Sequence, residues 1–260
     1  MTKPCPICKA QSANIFQADV LKKHRVHYYC CNHCQFVFTE KPYWLEEAYK
    51  KSINATDTGI LQRNYWLSKL SSVILYFLFD RQGKYLDYAG GYGLFTRLMR
   101  DIGFDFYWQD KYTENLFSPA FTYSKKSGPP VLLTSFESFE HFPKPVVEIK
   151  KMLTYSKNIL FTTEMLPSPV PAPQDWWNYG LEHGQHLSFY SEKTMKFLAD
   201  HFGLFYVGDG CNIHLFTEKK ISEKRFKRLI KMTKLGGALY VRKKMHSRTI
   251  DDMYLLREKK

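Results

Sequence analysis

Along the middle of this chain, short continuous apolar runs alternate with stretches whose apolar side chains recur at helical spacing. KYLDYA (84–89) predicts a strand, and behind it Leu94, Phe95, Leu98, Met99 and Ile102 share one helical face. FDFYWQD (104–110) predicts a second strand with Asp110 at its end. The alternation continues as strand (VLLT, 131–134), helix (VVEIKKML, 146–153) and strand (NILFTTEMLP, 158–167). It predicts an α/β fold on a parallel, doubly wound sheet. LFYVGDGCNIHLFTEK reads as two closing strands around Gly208 and Gly210, and SSVILYFLFD (71–80) as a buried helix too short to span a bilayer. Ahead of these, 36–39 predicts a strand followed by an aromatic linker helix, which sets a boundary near Pro42.

Composition changes this picture in one respect. Of the formal net charge of +13, residues 219–260 carry +11, from 15 Lys and Arg against 4 Asp and Glu, and everything before them carries +2. The nearly neutral body carries no charge argument about a partner; such arguments concern the tail alone, which could meet a membrane surface, an anionic glycolipid or a nucleic acid, although nucleic acid is not the expected partner. There Ile221, Phe226, Leu229, Ile230 and Met232 alternate with cations. The pattern suits a helix packing one face on the body, or an amphipathic helix on an anionic membrane surface. MTKPCPICKA has no apolar core of a signal peptide, and the expected location is the cytoplasm, with peripheral contact to the inner face of a membrane through the tail. Three regions are expected: 1–41, 42–218 and 219–260.

Five of the six cysteines lie in the first 34 residues, as Cys5 and Cys8 and as Cys30, Cys31 and Cys34. Two C-x-x-C turns this far apart suit a tetrahedral thiolate zinc site on Cys5, Cys8, Cys31 and Cys34. Cys31 repeats the first spacing where Cys30 does not; His24, His27 and His33 are alternative ligands, and a disulfide is the alternative chemistry. Four protein ligands leave no position for water, so the ion's expected role is to fold a small lobe.

Strand, glycine turn, helix and strand make a βαβ unit whose nucleotide-like ligand lies at the strands' carboxyl ends, with Asp110 on a ribose hydroxyl pair. The third glycine of a dinucleotide turn would fall at Phe95 or Thr96, so a pyrophosphate is disfavoured. LDYAGGYG instead resembles the D-x-G-x-G-x-G turn of class I S-adenosylmethionine-dependent methyltransferases, with Asp87, Ala89, Gly91 and Gly93 at the motif positions. Ala89 replaces the first glycine, which is tolerable if that residue is not left-handed. SFESFEH is similar to the segment after the family's fourth strand and implies that Phe136 and Glu137, ahead of Glu140 and His141, line the cofactor's methionine half. The resemblance implies a Rossmann-like sheet of seven strands.

The long Pro-rich stretch after the fifth strand carries Trp176, Trp177, Tyr179, Glu182, His183, Gln185, His186 and Tyr190. Such loops are usually functional. Within it QHLSFYS resembles a segment of zinc-ribbon methyltransferases of sugar and nucleotide-sugar biosynthesis, among them C-methyltransferases, whose histidine is a proposed base; this implies His186 as base. The preceding glutamate of that family is Gln185 here, so any carboxylate role is either lost or moved to Glu182, beside His183. The expectation is a methyltransferase for a small acceptor, a sugar or sugar nucleotide. The alternatives are an RNA methyltransferase and a binding module that keeps the fold without the chemistry.

Overall fold

A computed structural model describes residues 2–50 and 57–258. In chain order the elements are β1 (Thr2–Pro4), β2 (Gln11–Val20), β3 (His24–Cys31), β4 (Val37–Thr39), α1 (Leu45–Ala48), α2 (Ile60–Leu78), β5 (Lys84–Tyr88), α3 (Leu94–Ile102) and β6 (Asp105–Gln109). They continue with β7 (Leu132–Ser135), α4 (Pro145–Met152), β8 (Ile159–Thr162), β9 (Ser188–Phe189), α5 (Glu192–His201), β10 (Phe205–Gly208), β11 (Ile213–Thr217), α6 (Glu223–Met232), α7 (Ala238–Lys244) and α8 (Thr249–Arg257). The expected linker helix is reduced to α1, and its residues 51–56 lie outside the described residues.

The strands form two sheets, β1-β2-β3-β4-β9 and β10-β11-β8-β7-β5-β6. In the second, β5 pairs parallel with both β6 and β7, and β10 with β11 antiparallel. The mixed, parallel-rich α/β sheet matches the sequence pattern; among the described residues it has six strands, where seven were expected. The segment after β6 makes only an isolated bridge, Trp108 with Thr122, and two short 3-10 turns. Pro119, Gly128, Pro129 and Pro130 in that segment work against a longer edge strand.

The chain divides into two compact units, Met1–Asn54 with Glu137–Lys151 and Phe161–Lys219, and Ala55–Phe136 with Met152–Leu160 and Lys220–Lys260. In the first, the cysteine-bearing hairpins end with β4, and their sheet takes a further strand. β4 pairs with β9 at Val37 and Phe189, so a strand from far along the chain completes their sheet. Val26, Tyr28, Val37, Trp44, Trp176, Tyr179, Leu187 and Phe189 fill the core of this unit. Most of the aromatic loop is therefore packing, and Trp177 alone of its two tryptophans is exposed, at 71%.

In the second unit the basic tail is part of the fold. Phe226, Leu229, Ile230 and Val241 are buried, and α6 and α7 contact α2. Each such side chain contributes roughly 1.5–3 kcal/mol by leaving water. Arg100 of α3, 3% exposed, donates two hydrogen bonds to Asp252 of α8 at 2.8 and 2.6 Å. Helix α6 thus follows the first of the two sequence readings, a helical face packed inward. No helix among the described residues is long and apolar enough to cross a membrane.

Candidate functional site

The glycine turn leaves β5 through Asp87 and enters α3 at Gly93. Ala89, Gly91 and Gly93 all have positive φ, 58°, 54° and 82°. The condition under which Ala89 would cost little is not met: it adopts the left-handed conformation that glycine would supply, at a cost of about 1–2 kcal/mol for its Cβ. Gly90 is required for a different reason. A Cβ there would lie 2.6 Å from Asp87 Oδ2 and 2.7 Å from Trp108 Cδ1.

Asp87 is buried, with Thr96 Oγ1 donating to Oδ2 at 3.0 Å and Thr134 Oγ1 to Oδ1 at 3.1 Å. Burial pushes its carboxyl up to about 7, against the pull of those two hydroxyls. Asp110, at the end of β6, accepts from the Gly91 amide at 3.0 Å and from the Tyr112 and Thr113 amides at 2.7 and 3.1 Å. Trp108 Nε1 and Thr113 Oγ1 both donate to the Gly91 carbonyl, at 2.9 and 2.7 Å. The carboxylate thus anchors the turn and, with about four lone-pair positions, retains room for another donor. Phe136 packs edge-on against Phe95. Glu137 has φ 48°, accepts from Thr162 Oγ1 at 2.6 Å and donates its amide to the same oxygen at 2.9 Å. A non-glycine residue held there costs about 1–3 kcal/mol, which marks a constrained segment.

In the first unit, Cys5, Cys8, Cys31 and Cys34 bring their sulfurs within 4.8 Å of one another. Cys5 and Cys34 sulfurs are 3.7 Å apart and those of Cys8 and Cys31 3.3 Å, well beyond a disulfide bond. Sulfurs around zinc at the usual bond length of about 2.3 Å would be about 3.8 Å apart, so the set fits the ion. The two turns are built alike. Lys9 N donates to Cys5 O and Gln35 N to Cys31 O, while Cys5 N donates to Ala10 O and Cys31 N to Phe36 O. Lys9 and Gln35 are both left-handed. Cys30 packs against the apolar core, His27 bonds Asn14 and Gln17, His24 bonds Glu47, and His33 meets Phe197 edge-on, so none of the alternative ligands joins the four sulfurs.

The histidines of the long loop meet a turn from after β7. Leu187 N donates to Glu140 O at 2.7 Å, which brings His186 beside Glu140 and His141. His186 Nδ1 donates to Asn178 O at 2.7 Å, and His141 Nδ1 lies 3.1 Å from both Gln185 O and the Tyr49 hydroxyl. Burial, then the neighbouring His141, holds His186 well below its ordinary range; burial brings His141 to about 4. Glu140 is buried, and burial with the charge of Glu137 pushes it up to about 8. His183 and His186 pack over Gly180, where a Cβ would collide with the His183 ring and press on His186.

Glu182 is exposed, and the carboxylate grouped with His186 is Glu140. His183 Nδ1 accepts from the Gln185 amide at 3.2 Å, and the Gln185 side chain donates to Ala48 O at 2.8 Å, a structural tie. The link between Glu140 and His186 spans two segments distant in sequence, and spacing gives no sign of it.

A family model described as "Methyltransferase domain" matches residues 62–207, more than half of the chain, and the chain belongs to that family. Among solved structures, OxaC in complex with SAH and oxaline is 18% identical, over 67% of this chain and 53% of that one, with a TM-score of 0.45. TnmH is 14% identical over 69% and 62% of the two chains, with a TM-score of 0.48. Magnesium protoporphyrin IX methyltransferase (ChlM) from Synechocystis PCC 6803 with bound SAH is 10% identical over 67% and 96%, with a TM-score of 0.43. The chain spans about half the length of the OxaC chain. No curated protein matches it.

Proposed function

We propose that this chain is a class I S-adenosylmethionine-dependent methyltransferase acting on a small acceptor, a sugar or sugar nucleotide, with a structural zinc ion on its four clustered cysteines. The observation that carries the reading is the family match together with the turn at 87–93, whose positions 89, 91 and 93 all take the left-handed conformation. A turn of that kind lets the backbone approach a ligand closely.

Asp110 holds the ribose, and Asp87, the glycine turn and the backbone at Phe136 and Glu137 hold the methionine half. The cofactor supplies an electrophilic methyl group, so alignment of the acceptor carries much of the barrier reduction. His186 takes the acceptor's proton on Nε2. Its Nδ1 hydrogen is committed to the Asn178 carbonyl, so the lone pair is on Nε2, and the lowered pKa keeps the ring neutral at physiological pH. The sugar reading rests on the QHLSFYS resemblance and on exposed Trp177, whose indole face suits a sugar ring.

Calorimetry with S-adenosylmethionine tests the cofactor assignment. Micromolar binding, lost in Asp110→Ala, is expected; no heat from folded, zinc-loaded protein overturns it. Turnover of any acceptor removes the non-catalytic alternative, and steep salt dependence of RNA binding would favour the RNA one. Exposed Leu235, Leu239 and Tyr240 lie among the tail's cations and support peripheral contact with anionic lipid in the cytoplasm. Flotation with acidic vesicles is expected to weaken in Leu239→Ser/Tyr240→Ser; equal flotation of both proteins refutes the contact.

A further inference from the structure

We propose that Glu140, His141 and His186 bind a divalent first-row transition metal ion, a second site distinct from the four cysteines in its ligands and chemistry. One carboxylate oxygen and one nitrogen from each imidazole lie within 4.8 Å of one another. Two histidines and a carboxylate are a donor set that zinc and iron(II) take in sites with open positions.

The His186 imidazole is oriented as a ligand. The Asn178 carbonyl can only accept, so its contact with His186 fixes hydrogen on Nδ1 and puts that ring's lone pair on Nε2. A carbonyl on the far ring nitrogen is the usual support of a metal-bound histidine. His141 Nδ1 meets the Gln185 carbonyl and the Tyr49 hydroxyl, and its ring also bonds the Glu137 backbone, so binding the ion would exchange one of these contacts. Glu140 Oε2 is buried and has no hydrogen-bond partner, and such an orphan carboxylate oxygen is costly unless something positive meets it. The loop is shaped for this grouping, since Gly180 gives the His183 and His186 rings the space a side chain would take.

Three protein ligands leave at least one coordination position open. An oxygen of the acceptor would fill it. That last assignment rests on the methyltransferase reading, whereas the binding of the ion does not. The base role of His186 therefore belongs to the metal-free chain; with the ion bound, its lone pair is a ligand.

Cobalt(II) added to chelator-stripped full-length protein separates the sites. Four thiolates give intense sulfur-to-metal charge transfer, and a nitrogen and oxygen site gives weak ligand-field absorption only. Two ions per chain are expected by elemental analysis, the second without charge-transfer intensity, and Glu140→Gln and His186→Ala should each lose that second ion and keep the first. One ion per chain in the unaltered protein, or two in both variants, overturns the proposal. Cofactor binding by calorimetry is measured on the same samples; if it persists while the second ion is absent, the metal site fails and the methyltransferase reading stands.

Discussion

Truncating Asp252 to alanine should unlock the tail from the second unit. The Arg100 guanidinium is buried and bonded to both Asp252 oxygens, to Asp105 Oδ1 at 2.6 Å and to Phe106 O at 2.9 Å, and it stacks on the Phe121 ring at 3.6 Å. Removing one partner of a buried ion pair costs about 3–5 kcal/mol, because the other charge stays desolvated. Asp105 still faces Arg100, so the lower end, about 3 kcal/mol, is expected. At about 2–4 °C per kcal/mol for a chain of this size, the melting temperature should fall by about 6–12 °C. Urea unfolding followed by tryptophan fluorescence should show a lower midpoint with an unchanged slope. The pH dependence has a definite sign. Burial alone would raise Asp252, but the Arg100 bond outweighs it and holds the carboxyl below its ordinary value. Its contribution is therefore present above the unfolded pKa and is lost as pH falls through the folded one. A loss below about 1 kcal/mol, or an equal loss in Arg97→Ala, whose pair with Asp252 is more exposed, would refute this account of where the energy lies.

Ala89→Gly should stabilise by about 0.5–1 kcal/mol, since relief of the left-handed strain exceeds the added freedom of the unfolded chain; matched urea curves check it. If the cofactor's ammonium pairs with Asp87, whose carboxyl is pushed up to about 7 by burial, affinity should rise from pH 6 to pH 8 with proton release, measurable by calorimetry in buffers of different ionisation enthalpy. Cys34→Ser should lose zinc and the order of β1 to β4, read by metal analysis and amide exchange. His214, brought to about 4 by burial, is neutral in the fold, so stability should be complete above pH 6.5 and fall by about 3 kcal/mol towards pH 4; His214→Gln should flatten that slope.

The βαβ core was legible because its runs are either continuously apolar or strictly helical in period, and the ends of β5 and β6 carry the acids. The cysteine spacing foretold which four sulfurs meet. The hairpin of β2 and β3 was hidden by a bulge between Asn14 and Phe16, which interrupts the alternation that reveals a strand. Strand β9 is two residues long and exists only because β4 offers it an edge. Ala89 shows that a side chain can occupy a conformation its propensity disfavours when the turn's other bonds, from Asp110, Trp108 and Thr113 onto Gly91, fix the path. Glu140 could be quoted from the sequence but not paired, because its partner is made by tertiary contact. The tail's charge suggested a separable segment, and its one buried acid, Asp252, gave no local signal of the arginine it meets.

The pairing of β4 with β9 bears on how the protein is made. The four cysteines leave the ribosome about 150 residues before Ser191 and Thr194, and the Cys34 carbonyl awaits the hydroxyls of those two, which donate to it at 3.3 and 2.8 Å. Until that stretch is translated, β4 presents an open edge, the kind that invites pairing with another nascent chain. Early metal capture would hold the first hairpins in register through the wait, so zinc supply during synthesis, more than in the finished protein, would govern the yield of folded chains.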